Sequence, residues 1–200
     1  MRTLVMAGFV TLDGVMQGPG GPQEDTEDDF PFGGWQVPFA DDELGAIVGD
    51  YFRSSSALLL GRRTYDIFAG YWPGQAEAGD EFAASLGRMP KYVVSRTLTE
   101  AAWENTTVLR GEAHDVVAGL KEGDGGDILI QGSSRLLQHI HDLVDEYRLF
   151  TYPVVLGRGK RIFAEGAPAR TLRAVETRAT AGGAVYTAWV PAGEVRTGSF

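Results

Sequence analysis

Short apolar runs alternate with amphipathic segments along most of this chain, and that alternation restricts the fold more than any other feature. Residues 2–12 read as a strand. Ala57 to Leu60, bounded by Ser54-Ser55-Ser56 and Gly61, reads as a buried one, and Lys91 to Ser95, Thr107 to Leu109, Asp127 to Gln131 and Glu146 to Tyr152 continue the series. Between them lie helical patterns. Leu44, Ile47, Val48, Tyr51 and Phe52 form one apolar stripe behind Asp41 or Asp42 as the cap. A short helix follows from Thr64 to Ala69, another from about Asp80 to Gly87, and a third from Ala113 to Lys121 with Val116, Val117 and Leu120 inward. Gly132-Ser133-Ser134 opens a helix whose stripe is Leu136, Leu137, Ile140 and Val144. Strands alternating with helices imply right-handed parallel crossovers and a sheet covered on both faces. Thr171 to Thr180 and Ala184 to Val190, joined through Gly182-Gly183, read as a closing antiparallel hairpin. The expectation is one mixed, mostly parallel α/β domain spanning residues 1–200.

Composition narrows the function classes. The 200 residues are 44% hydrophobic, enough for one sizeable core. There is no cysteine, which removes disulfides, thiolate metal sites, iron–sulfur clusters and thiol nucleophiles. The net charge of -9 argues against nucleic-acid binding, which needs a basic face, while leaving room for a small anionic ligand held by local cations. Asp13 and Gly14 cut short the first apolar run, so it reads as a strand rather than a leader, and no segment reaches the roughly 18 apolar residues of a membrane span. His139 and His141 flank Ile140 on one helix and His114 stands before another, so no metal set emerges.

Ligands of open α/β sheets bind beyond the carboxyl ends of strands, where helix N-termini expose N–H groups. Three such junctions share a theme: Gly61-Arg62-Arg63-Thr64, Ser95-Arg96-Thr97, and Gln131-Gly132-Ser133-Ser134-Arg135. Glycine admits an anion to the backbone, hydroxyls donate, and arginine supplies a permanently charged fork. Each alone also reads as a turn, an N-cap or a surface charge; their coincidence in an acidic chain points to a phosphate-bearing ligand. None matches the Walker A spacing or the G-x-G-x-x-G fingerprint.

The ordered set Thr11-Leu12-Asp13-Gly14-Val15-Met16, Leu60-Gly61-Arg62-Arg63-Thr64-Tyr65, Val94-Ser95-Arg96, Gln131-Gly132-Ser133 and Pro153-Val154-Val155-Leu156-Gly157-Arg158-Gly159 resembles the RibD C-terminal/dihydrofolate reductase-like family across nearly the whole chain. That resemblance implies a three-layer α/β/α fold, NADPH as cofactor and a small heterocyclic substrate. It would set Arg62, Arg63, Ser95 and Arg96 around the adenosine 2′-phosphate. Thr64, Gly132, Ser133 and Ser134 would meet the pyrophosphate. Ala7, Val15, Met16, Gln131 and Leu136 would line the rest of the cofactor. The stretch from Gly18 to Pro38 would resemble a mobile flap. A cytoplasmic homodimer is the state the resemblance favours.

Catalytic groups are harder to assign. True dihydrofolate reductases grip the pterin with a carboxylate in the first helix. Counting back from Gly61 puts that position near Gly45, which has no acid. Asp41, Asp42 and Glu43 lie one turn earlier, with Asp42 the catalytic candidate and helix capping its competing role. Asp13 opens the cleft of the family and is the other candidate; Asp-Gly turn formation is its competing role. Glu24-Asp25-Thr26-Glu27-Asp28-Asp29 reads as a solvated run, Tyr71-Trp72-Pro73 as packing or stacking just beyond a helix, and Gly157 to Arg161 as a basic hairpin tip or a phosphate contact. Besides reduction of a pterin- or pyrimidine-like ring, two readings stay open. One is a riboflavin-pathway reductase of a ribosylaminouracil phosphate; the other is a binder that has lost catalysis.

Overall fold

A computed structural model describes residues 1–199. Eight strands form one mixed sheet: β1 (Leu4–Thr11), β2 (Ser55–Gly61), β3 (Lys91–Val94), β4 (Thr106–Leu109), β5 (Asp127–Ile130), β6 (Glu146–Tyr152), β7 (Leu172–Ala179) and β8 (Val185–Pro191). Their spatial order is β4-β3-β2-β5-β1-β6-β8-β7. All pairs from β4 to β6 are parallel, and β6–β8 and β8–β7 are antiparallel. The closing hairpin is therefore appended to β6.

Five α-helices cover the sheet: α1 (Asp42–Ser54), α2 (Arg62–Glu77), α3 (Glu81–Arg88), α4 (Ala113–Glu122) and α5 (Ser134–Gln138). Alternation along β1 sends Val5 and Ala7 to one face, and Leu4, Met6 and Val10 to the other. The first face packs against Leu44, Ile47, Tyr51 and Phe52 of α1, Tyr65 of α2 and Leu86 of α3. The second packs against Val117 of α4 and Leu136 and Leu137 of α5. Three layers result, with β1 and β5 covered on both sides except at the half-buried Phe9 and Asp127.

Helix starts follow their caps. Asp41 accepts from Leu44 N at 2.7 Å and Asp80 from Ala83 N at 3.0 Å, each satisfying a donor that the helix itself cannot. Asp41 also accepts from Gly182 N at 2.6 Å, which ties the β7–β8 turn to the start of α1. Two helices differ from the sequence expectation. α2 runs from Arg62 through Pro73 to Glu77 instead of ending at Ala69. Trp72 packs edge-on to Phe68 and Phe82 and so joins the helix to α3, which repays the backbone bond that proline removes. α5 stops at Gln138, although Ile140 and Val144 of its predicted stripe stay buried through a 3₁₀ turn at His141–Leu143. Among the described residues, no helix is long and apolar enough to cross a membrane.

Candidate functional site

The three anion-friendly junctions lie side by side because β3, β2 and β5 are neighbours. Gly61 pairs in register with Val94, and its N–H donates to Gly132 O at 3.0 Å. A Cβ on residue 61 would stand 3.0 Å from the Cβ and backbone N of Ser133 and still nearer its Oγ, so only glycine fits this crossing. Gly132 needs glycine for a different reason. Its φ is +134°, and a Cβ there would meet Thr64 Oγ1 at 2.8 Å. Thr64 and Ser133 are thus brought against the two glycines at one spot. Next along, Gln131 donates its side-chain amide to Ala7 O at 3.1 Å and links the site to the central strand.

The start of α2 stands apart from its counterparts. The helix is 16 residues long, has no side-chain cap, and carries two arginines and no acid in its first turn. Cations at the positive end of a helix dipole are unfavourable unless an anion joins them. Carboxylates of the chain take that part. Arg62 holds Asp66 at 2.8 Å, Arg63 faces Asp25 at 3.5 Å, and Arg96 holds Glu112 at 2.8 Å. Arg135 similarly holds Glu27 at 2.6 Å. Ser95 is buried, and its Oγ accepts from Thr97 N and Leu98 N, shaping the turn that presents Arg96. Ser133 Oγ accepts from Leu136 N, while Ser134 and Leu136 are themselves buried.

The segment expected to be a flap is packed down. Trp35 donates to Gln17 O at 2.8 Å, and Trp35 and Phe39 meet Tyr152 edge-on, with Phe9 beside it. Tyr152 in turn donates to Gln36 Oε1 at 2.8 Å. Nor is the acidic run solvated throughout. Asp25 is only 7% exposed, and Lys160 binds both Asp25 and Glu27 at 2.6 Å. The Lys160 bond holds the Glu27 carboxyl below its ordinary range. The same contacts show that the basic turn is no free hairpin tip: Val15 bridges Arg161, and Met16 N donates to Lys160 O at 2.8 Å.

Asp13 has a full set of partners. It accepts from Thr11 Oγ1 at 2.6 Å, from Gly157 N at 2.9 Å and from Leu156 N at 3.2 Å, and Arg161 lies 3.5 Å away. The Thr11 bond is the main influence that lowers its pKa. Asp42 is exposed on the first turn of α1, whereas Leu44, Ile47, Tyr51 and Phe52 are the α1 residues that reach the core. No acid of α1 faces the sheet. What the first helix does bury there is a phenol: Tyr51 is 3% exposed, its hydroxyl lies beside the Gln131 side chain without a well-formed hydrogen bond, and burial pushes its pKa far up. Tyr51 belonged to the apolar stripe in the sequence, so its hydroxyl gave no separate signal. Gln17 was equally silent, and Lys160 was read only as part of a basic turn, although the opposite charges of residues 24–29 and 158–161 were a readable hint of their pairing. Among the described residues, no group of three or more His, Asp or Glu is placed to hold a metal ion.

Comparison with known proteins agrees with this architecture. A Shewanella protein assigned to riboflavin biosynthesis superposes with a TM-score of 0.65 at 18% identity, covering 95% of this chain and 99% of its own. Dihydrofolate reductase from Enterococcus faecalis, solved with NADP(H), gives 0.58 at 13% identity over 94% of this chain and 96% of that one. Both show the fold to be dihydrofolate reductase-like. The uncharacterized protein YyaP of Bacillus subtilis is 30% identical over 192 residues, 92% of each chain. Residues 2–186 match the RibD C-terminal domain, and the chain belongs to that family.

Proposed function

We propose that the protein is an NADPH-dependent reductase that delivers hydride to a small pterin- or pyrimidine-like heterocycle, working as a cytoplasmic homodimer. One observation carries the reading: α2 begins uncapped, with two first-turn arginines, against the crossing of Gly61 and Gly132. A phosphate is the group that such a junction stabilises. The Enterococcus reductase of the same fold, solved with NADP(H), supports the choice of ligand.

In this reading Arg62, Arg63, Ser95 and Arg96 take the 2′-phosphate. The α2 N–H groups, Thr64, Gly132, Ser133 and Ser134 take the pyrophosphate, with Leu136 packed beneath. Ala7, Val15, Met16 and Gln131 flank the nicotinamide. When bound, the reduced nicotinamide supplies the hydride. The chain's own work is alignment and exclusion of water, with Phe9, Trp35, Phe39 and Tyr152 as an aromatic wall. Tyr51 offers its free hydroxyl to a neutral edge of the substrate. Asp13 shapes the mouth by holding the Leu156–Gly157 turn, and Asp42 touches no substrate.

Titration of tryptophan fluorescence with NADPH and NADH tests the cofactor. NADPH should bind at least about tenfold more tightly, and the Arg62→Ala/Arg96→Ala double variant should erase most of that preference. Equal binding of both cofactors by the unaltered protein would refute the phosphate placement. NADPH oxidation is then followed with dihydropterins and with phosphorylated aminopyrimidines. Turnover of the latter would favour the riboflavin-pathway reading, to which the Shewanella likeness also lends support.

A further inference from the structure

Four remote segments meet at one ionic cluster. Asp25 and Glu27 come from the long stretch after β1, Arg63 from the start of α2, Arg135 from α5, and Lys160 from the turn after β6. Each carboxylate divides its two oxygens in the same way. Asp25 Oδ2 lies 2.6 Å from Lys160 Nζ while Oδ1 faces Arg63 at 3.5 Å. Glu27 Oε2 lies 2.6 Å from the same Nζ while Oε1 meets Arg135 at 2.6 Å.

The two halves of the cluster differ in access. The Lys160 and Asp25 side chains are 16% and 9% exposed, whereas Arg63 and Arg135 are 49% and 70% exposed. The lysine half is fixed by backbone contacts as well. Gln17 donates to Glu27 O at 2.9 Å and to Asp25 O at 3.3 Å, and it accepts from Lys160 N at 3.0 Å. A cleft of about 290 Å³ opens where Arg135, Lys160 and Arg161 line it, and one of about 260 Å³ lies on the Glu27 and Arg158 side. Lys160 lines both clefts, but at 16% exposure its side chain is far less accessible than those of Arg63 and Arg135, so an anion arriving from solvent meets the guanidiniums first.

We propose that Lys160 is a positioning residue for cofactor binding: it retains the carboxylates of Asp25 and Glu27 while the phosphates of the cofactor take Arg63 and Arg135 from them. The inference rests on the cofactor reading above. Binding on this account is an exchange of partners. Each guanidinium trades a carboxylate oxygen for a phosphate oxygen, and each carboxylate keeps its buried bond to Lys160. Without the lysine, both carboxylates would fall wholly to the arginines and repel the incoming phosphates. A purely structural cluster behaves otherwise, since loss of any member would loosen the same segment and weaken binding.

The test compares Glu27→Gln, Lys160→Met, Lys160→Arg and the Glu27→Gln/Lys160→Met double variant. Dissociation constants are measured for NADPH and for inorganic pyrophosphate at low salt, with thermal melts to establish folding. Glu27→Gln should tighten both ligands by about three- to tenfold, an advantage that shrinks with added salt. Lys160→Met should weaken them by about tenfold, Lys160→Arg should restore most of the loss, and the double variant should bind more tightly than Lys160→Met. Weaker or unchanged binding by Glu27→Gln overturns the proposal, and this milder variant decides the matter even if Lys160→Met does not fold. If NADPH binds in an Arg62- and Arg96-dependent manner while Glu27→Gln and Lys160→Met shift it alike, the positioning role alone falls. If the folded wild-type protein binds neither ligand, the cofactor reading falls and takes this inference with it.

Discussion

Gly61 gives its N–H to the carbonyl oxygen of Gly132 at 3.0 Å, so the tips of β2 and β5 are joined where both leave the sheet. The bond sets the spacing of Thr64 and Ser133, the two hydroxyl residues packed against those glycines.

Gly61→Ala should therefore be costly although the backbone at Gly61, with φ of −72°, suits any residue. The added methyl would press on Ser133 Oγ and force the strand tips apart. A loss of about 1–3 kcal/mol is expected, or roughly 3–10 °C in Tm, with weakened NADPH binding. A wild-type melting curve would show that the crossing yields more easily than the geometry implies.

Lys91 is fully buried, yet its ammonium donates to the carbonyls of Leu86, Gly87 and Met89, each at 2.8 Å, and lies 4.3 Å from the centre of the Trp103 ring. It closes the C-terminus of α3, where a cation is favoured. Lys91→Met keeps the bulk, strands the Leu86 and Met89 carbonyls and leaves Gly87 O with the Asn105 amide alone, so urea unfolding should register a loss of about 2–4 kcal/mol. A change below about 0.5 kcal/mol would mean that water reaches those carbonyls.

His141 supplies the pH dependence. It is 2% exposed, stacks on Phe163 at 5.1 Å, bonds Tyr147 through Nδ1 and leaves Nε2 without a partner. Burial first, and the Arg170 charge second, lower its pKa, with the Ile162 backbone and then Asp142 opposing them. The unfolded chain, titrating near 6.5, then takes up more protons than the folded one as the medium acidifies. Stability should thus fall as pH drops below about 6.5, and His141→Asn should show a shallower decline between pH 7 and 5 in urea titrations. Parallel curves for the two proteins would clear His141 of the effect.

Tyr51→Phe separates folding from recognition. Because the hydroxyl is buried without a partner, its removal should leave stability within about 0.5 kcal/mol or raise it slightly. If the hydroxyl meets the substrate, KM should rise about three- to tenfold with Tm unmoved. A fall in Tm would instead assign the group an internal role.

Most of the architecture was written in local patterns. Short apolar runs located β1, β2, β5 and β6, spacing at three and four residues located α1, and the glycine-hydroxyl-arginine clusters marked the three junctions that the sheet makes adjacent. The failures share a cause: they concern groups whose state is decided by distant residues. Asp25 looked like part of a solvated run because its partners, Arg63 and Lys160, lie 38 and 135 positions away. α2 outlasts Pro73 because Trp72 finds Phe82 on another helix. Tyr51 passed for a plain core residue, since periodicity reports which way a side chain points and says nothing of whether its hydroxyl finds a partner.

The position of β1 has a consequence for how the protein is made. Residues 4–11 leave the ribosome before every other strand of the sheet, yet Val5 pairs with Leu129 and with Glu146. The central strand must wait for the 124 positions that separate Val5 from Leu129 before either neighbour exists. Contacts so far apart in sequence close slowly and leave apolar surface uncovered meanwhile. Productive folding during translation should thus begin only once the segment through Tyr152 has emerged, and until then the nascent chain is a natural client for chaperones.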